Sequence, residues 1–60
     1  MLYNVACLHA LIDKRQEALG YLERSVMNGY GHKDSIANDP DLDSIRRTPW
    51  FQAIAQAMSD

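Results

Sequence analysis

Residues 2–12 are apolar on almost every side of the helix that they predict. Asn4 and His9 are the polar exceptions in this run. A strand is possible for so apolar a run, but eleven residues is long for a strand, and the alanine and leucine content favours a helix. A helix that is apolar all round needs packing partners on two sides. The pattern therefore indicates a segment that docks against more than its own neighbour.

A second helix is predicted over 16–28, after a charged connection at 13–16. Its charged residues lie on one side, and its apolar face is formed by Ala18, Leu19, Leu22, Ser25 and Val26. Gly29 follows as the expected C-terminal cap, because glycine adopts the left-handed conformation without steric cost. The first two helices together predict a helical hairpin.

Two short helical turns are predicted after the hairpin. Asp34 is the expected cap of a turn over 35–37, and Asp41 is the expected cap of a turn over 42–46. The proline that follows Asp39 disfavours a helix at that position and separates the two turns.

A last helix is predicted over 49–58. Thr48 is a good N-terminal cap, and Pro49 suits the first helical position because its φ angle is already helical. Trp50 begins an apolar stripe that can lie against the hairpin. Tyr21 and Trp50 are the expected large side chains of a small core.

The hairpin resembles a tetratricopeptide repeat, a helix–turn–helix unit of about 34 residues. Ala6 and Ala18 stand at the small-residue sites of that repeat, where its two helices pack together. Leu22 stands at a large apolar site, His9 at the usual aromatic site, and Ser25 replaces the usual alanine.

Residues 38–46 and 49–54 resemble the segment that often closes a tetratricopeptide array in bacterial proteins. The resemblance implies an all-α fold in two parts, a single hairpin at 1–29 and a turn-rich segment with a C-terminal capping helix at 30–60. The chain departs from the pattern at Asp13, where the repeat has a turn glycine, and it holds one repeat where about three or more are normally needed.

Composition and charge exclude several classes of function. Six basic and eight acidic residues give a formal charge of −2, which provides no electrostatic footprint for nucleic acid or an anionic membrane. The longest apolar run is far shorter than the roughly 20 residues of a membrane span. No basic residue precedes Lys14, so a signal peptide is not expected. A single cysteine favours a reducing compartment, which we take to be the bacterial cytoplasm.

Cys7 and His9 do not form a catalytic pair or a metal site. Residues two apart on a helix point in nearly opposite directions. Cys7, His9 and His32 also lack the spacing of zinc ligands. We therefore expect Cys7 to be a buried thiol without catalytic function.

The alternating aspartates Asp39, Asp41 and Asp43 are similar to the start of a calcium loop. The sixth and twelfth positions of such a loop require glycine and glutamate, whereas this chain has Ser44 and Trp50 there. Acidic residues that cap short helical turns are the simpler interpretation. No metal or cofactor is predicted.

The remaining candidate is an interaction surface. By resemblance, the first helix of such a repeat lines a groove. The candidate contact residues on it are Tyr3, Asn4, Cys7, Leu8, Ala10 and Leu11. No basic residue is available there to grip a carboxylate, so an apolar contact is favoured. The alternative is that the same residues pack against a preceding repeat or a second copy of the chain, because one repeat cannot bury its face alone.

The sequence thus predicts a non-enzymatic interaction module, a scaffold or adaptor that binds a protein or peptide partner or another copy of itself. A homo-oligomer is expected if this is the whole chain. The alternative is a C-terminal regulatory fragment of a larger signalling or catalytic protein whose chemistry lies upstream.

Overall fold

A computed structural model describes residues 2–58, which form five α-helices and one short 3-10 helix. The helices are α1 (Leu2–Leu11), α2 (Arg15–Met27), α3 (Lys33–Asn38), the 3-10 helix (Pro40–Leu42), α4 (Asp43–Arg46) and α5 (Pro49–Ala57). No strand occurs within the described residues, so the all-α prediction is confirmed. None of the helices within 2–58 combines the length and apolar character that crossing a membrane requires.

The helices α1 and α2 pack along each other as the predicted hairpin. Ala6 of α1 and Ala18 of α2 are both fully buried, and Leu22 is fully buried beside them. A larger side chain at either alanine would overpack this contact. The small residues of the sequence pattern therefore allow the two helices to pack closely.

Asp13 ends α1 in the left-handed conformation, with a φ of 66°. The Asp13 N–H donates to the Ala10 carbonyl oxygen at 3.2 Å, and the Lys14 N–H donates to the His9 carbonyl oxygen at 2.8 Å. These two hydrogen bonds form a Schellman motif, which usually contains glycine at this position. Asp13 therefore occupies a backbone position that suits glycine better.

Replacing Asp13 with glycine should raise the free energy of unfolding by about 1 kcal/mol. The left-handed conformation costs a residue with a Cβ atom roughly 1–2 kcal/mol, and the greater flexibility of unfolded glycine offsets part of the gain. The ion pair that is lost, Asp13 with Arg15 at 3.6 Å, is mostly exposed and contributes little. Urea unfolding measures the change. Asp13→Ala is the control, since it removes the ion pair without relieving the backbone; equal stability of the two variants would contradict the interpretation.

Gly29 ends α2 as predicted, with a φ of 83°. Its N–H donates to the Val26 carbonyl oxygen at 2.9 Å, and the Tyr30 N–H donates to the Ser25 carbonyl oxygen at 3.0 Å. This is a second Schellman motif, here with the residue that the motif favours.

Residues 33–57, which we call the closing segment, fold back over the hairpin. The 3-10 helix and α4 pack on α1, while α5 packs on α2, α3 and α4. The buried apolar side chains of the closing segment are Ile36, Leu42, Ile45, Phe51 and Ile54. One continuous core therefore joins the hairpin to the closing segment.

The caps of the short turns differ from the prediction. Asp39, and not Asp41, caps the 3-10 helix, because its carboxylate accepts the Asp41 N–H at 3.0 Å. Pro40 occupies the first position of that helix, which places the cap one residue before it. Asp34 lies in the first turn of α3 and makes no capping hydrogen bond with its side chain.

The last helix begins as predicted, but its buried face is rotated from the expected one. The Thr48 hydroxyl accepts the Phe51 N–H at 3.1 Å. Phe51 and Ile54 are buried, whereas Trp50 is 39% exposed, so the prediction that Trp50 fills the core was wrong. Phe51 occupies the core instead, and Tyr21 is half-buried at its edge.

Candidate functional site

The two sides of α1 have different surroundings in the folded chain. The closing segment covers the side that carries Tyr3, Cys7 and Ala10. The opposite side remains open to solvent, and we call it the outer face; its residues are Asn4, Leu8, Leu11 and Ile12.

The covered side of α1 is fastened to the closing segment by hydrogen bonds. The Tyr3 hydroxyl donates to the Asp39 carboxylate. The Ser44 hydroxyl donates to the Ala10 carbonyl oxygen at 2.8 Å. Cys7 and Ala10 are buried. Three of the six predicted contact residues, Tyr3, Cys7 and Ala10, are therefore engaged within the chain, and this corrects the expectation that their side of the helix lies open.

The outer face contains the other three predicted contact residues. Leu8 and Leu11 are each 61% exposed, and Asn4 is exposed beside them. Ile12 is 62% exposed because α1 ends at Leu11 and the turn carries Ile12 outwards. Adjacent exposed apolar side chains on one helix are typical of an interaction site, whereas isolated ones are common on any surface.

Cys7 has two carboxylates close to it. Its sulfur and carboxylate oxygens of Asp39 and Asp41 all lie within 4.8 Å of one another. Both oxygens of Asp39 already accept hydrogen bonds, from Tyr3 and from the Asp41 N–H. The three residues are fewer than the ligands of a structural zinc site. The arrangement therefore fits a link between α1 and the 3-10 helix better than a metal centre.

The chemistry of Cys7 is also that of a structural residue. Burial raises the pKa of its thiol, and the charges of Asp39 and Asp41 raise this pKa further. Because the thiolate is the reactive form, a raised pKa makes a cysteine a poor nucleophile at neutral pH. His9, which lies two residues after Cys7 on α1, packs on the ring of Tyr21 with 5.1 Å between ring centroids.

Arg46 holds the two parts of the acidic turn together. Its guanidinium donates to the Asp43 carboxylate and to the Asp39 backbone carbonyl oxygen. The 3-10 helix and α4 are thus tied to each other before they pack on α1. Arg46 therefore has a structural role, and its guanidinium is not free to bind a phosphate.

Stability should fall as the pH rises above about 9. Burial and the hydrogen bond to Asp39 raise the pKa of the Tyr3 phenol above its ordinary value of 10.0, and burial raises that of Cys7 above 9.0. The unfolded chain therefore releases these two protons more readily than the folded chain. Their contribution is complete below the ordinary values and is lost progressively as the pH rises from these values towards the raised pKa values of the folded chain.

Urea unfolding between neutral pH and pH 11 measures this loss. In the Tyr3→Phe variant the phenol is absent, so the decline above pH 10 should be shallower than in the unchanged protein. Equal slopes in the variant and the unchanged protein would contradict the assignment to Tyr3.

Comparison with known proteins finds a relative that this chain matches over only part of that relative's length. The chain is 31% identical over 58 residues to a chloroplastic protein of Arabidopsis thaliana. The aligned region covers 97% of this chain, but the chain spans only 17% of the length of that relative. The relative contains tetratricopeptide repeats, so the similarity supports the resemblance in part. No family model matches the chain, and no solved structure matches it significantly.

Proposed function

We propose that this protein is a non-enzymatic interaction module that docks a protein or peptide partner on the outer face of α1. The observation that carries the proposal is the joint exposure of Leu8 and Leu11 on a helix whose other side is covered, with Ile12 also exposed in the turn that follows. A small chain has little apolar surface to spare, because it buries only about 60% of its unfolded surface. An exposed apolar stripe on such a chain favours binding over solvation.

Two further observations support an interaction role. Cys7, the one cysteine, is buried with a raised pKa, so the proposal gives it no catalytic part. The similarity to the chloroplastic relative spans nearly all of this chain and includes both the hairpin and the closing segment. Helical repeats of this type form extended binding surfaces.

The division of the chain and its compartment belong to the same proposal. The hairpin, residues 1–29, would supply the docking helix, and residues 30–60 would cover the other side of that helix. We place the protein in the bacterial cytoplasm, where a single unpaired cysteine is stable. The chloroplast is the compartment named for the relative, and this proposal does not carry it over to the present chain.

Substituting the outer face tests the proposal. Leu8→Glu with Leu11→Glu places two charges on the outer face, while Gln52→Glu with Gln56→Glu places two charges on the exposed side of α5. Both double variants should keep their helicity and unfold within about 0.5 kcal/mol of the unchanged protein, since the residues are exposed.

The readout is the set of proteins that each immobilised variant retains from a lysate of the source organism, quantified by mass spectrometry. The Leu8/Leu11 variant should retain the partner at least about tenfold less well, and the Gln52/Gln56 variant should retain it normally. Equal retention by the two variants would contradict a docking role for the outer face.

One observation favours the alternative function, a regulatory fragment of a larger signalling or catalytic protein. The chain spans 17% of its relative, so a longer protein can contain a unit of this kind. In that case the outer face would pack against the preceding segment of the same chain. Sequencing the parent gene decides between the two functions.

A further inference from the structure

The protein has a second apolar surface, formed by α2 and α5. Met27 is 79% exposed and Trp50 is 39% exposed. They flank a groove, which we call the α2–α5 groove, lined also by Val26, Ala53 and Ala57. No residue of the outer face lines this groove, so the two surfaces are separate.

The two surfaces carry opposite charges at their edges. The helix α1 has no acidic residue, and Lys14 follows the outer face without an ion-pair partner among residues 2–58. Asp13 and Arg15 beside it form an ion pair with each other. Glu23 lies at the edge of the α2–α5 groove and likewise has no ion-pair partner in the described part of the chain. The outer face therefore ends in a positive charge, and the groove is bordered by a negative one.

The choice of occupant follows from these two surfaces. A symmetric dimer through two outer faces would bury Leu8 and Leu11 but leave Met27 and Trp50 of both copies exposed. It would also leave Glu23 unpaired. A head-to-tail contact buries both apolar surfaces at once, and it joins the surface that ends in Lys14 to the surface that Glu23 borders.

We propose that the α2–α5 groove binds the outer face of α1 from a second copy of this chain. The inference rests on the proposed function and names the partner of the outer face. Because the two contacting surfaces differ, an open assembly always has a free outer face at one end and a free groove at the other. Association therefore continues beyond a dimer until a ring closes or a filament forms.

Two variants, each blocked on one surface, test the direction of the contact. Leu11→Glu blocks the outer face, and Met27→Glu blocks the groove; both residues are largely exposed, so both variants should fold. Circular dichroism and thermal unfolding of each variant check this. Sedimentation velocity of the 60-residue chain should show a mass that increases steadily with concentration, while each variant alone stays monomeric.

Mixing the two variants gives the decisive result. Each still has one intact surface, so the equimolar mixture should form a heterodimer and grow no further. A charge exchange refines the test: Lys14→Glu should weaken association up to about fivefold, and Glu23→Lys in the same chain should restore it. Matched dilution series of the single and double variants measure this difference.

Three outcomes would overturn the inference. A mixture that stays monomeric excludes the contact, and a Met27→Glu variant that still dimerises shows a symmetric outer-face contact instead. An unchanged chain that stays monomeric at all concentrations excludes self-association. If the outer face still captures a different protein in that last case, the proposed function stands and only this inference fails.

Discussion

Replacing Leu42 with alanine should lower the free energy of unfolding by about 2–5 kcal/mol. Leu42 lies in the 3-10 helix, is 0% exposed, and belongs to the element that packs on α1. Truncation removes its buried apolar surface and leaves a cavity where the closing segment meets the hairpin. A domain of this size has a total stability on the order of 5 kcal/mol, so the variant should retain at most about 3 kcal/mol and, at the upper end of the loss, should be about half unfolded at room temperature.

Leu11→Ala is the matched control for this effect. It is the same chemical change on a leucine that is 61% exposed, and it should alter the free energy of unfolding by about 0.5 kcal/mol or less. Urea unfolding followed by circular dichroism measures both variants. Equal losses would mean that the closing segment does not belong to the same core as the hairpin.

Replacing Ser25 with alanine should raise the free energy of unfolding by about 1 kcal/mol or more. Ser25 is 2% exposed, and its hydroxyl oxygen has no hydrogen-bond partner. A buried polar group without a partner costs roughly 1–3 kcal/mol, and alanine is also the better helix former. Alanine is the residue that the repeat pattern usually has at this site, so the substitution restores the apolar packing of α2 against α1.

Ser44→Ala is the control of opposite sign. The Ser44 hydroxyl donates to the Ala10 carbonyl oxygen at 2.8 Å, so its removal should cost about 0.5–1.5 kcal/mol. The same unfolding experiment compares the two serines. A loss of stability in both variants would show that the Ser25 hydroxyl has a partner that stabilises the fold.

The hairpin could be predicted from sequence because its signals are local. The spacing of Ala18, Leu19 and Leu22 follows the helical period, and Gly29 ends α2 as glycine commonly does. The start of α5 at Thr48 and Pro49 is likewise fixed by neighbouring residues. Each of these features depends on interactions between residues within one or two helical turns.

The partners of α1 could not be predicted in the same way. Tyr3 meets Asp39, which is 36 positions away along the chain, and no spacing rule marks that pair. The sequence predicted that residues 16–28 and the helix around Trp50 cover one side of α1. The helix α2 does pack on α1, but the 3-10 helix and α4 provide the cover that was assigned to the helix around Trp50. Because the 3-10 helix and α4 cover α1, three of the six predicted contact residues are in contact with other parts of the same chain.

The identity of the buried aromatic residue was missed for a related reason. Trp50 and Phe51 are adjacent in α5, and a rotation of the helix by one residue exchanges their environments. The amphipathic pattern of α5 is broad, since Ala53 follows Trp50 by three residues and Ala55 follows Phe51 by four, so both faces of the helix are apolar. The helix α5 packs against α3 and α4, and this packing places Phe51 in the core. The local sequence pattern of α5 does not encode it.

The central claim is that α1 presents its outer face to a partner because the closing segment covers the other side. The most direct test is photo-crosslinking from benzoylphenylalanine at position 8, with the same group at position 52, on the exposed side of α5, as the control. The two labelled chains are irradiated in a lysate of the source organism, and adducts, including those with further copies of the chain, are counted. The account predicts adducts from position 8 well above those from position 52. Equal yields from the two positions, or adducts from position 52 alone, would contradict it.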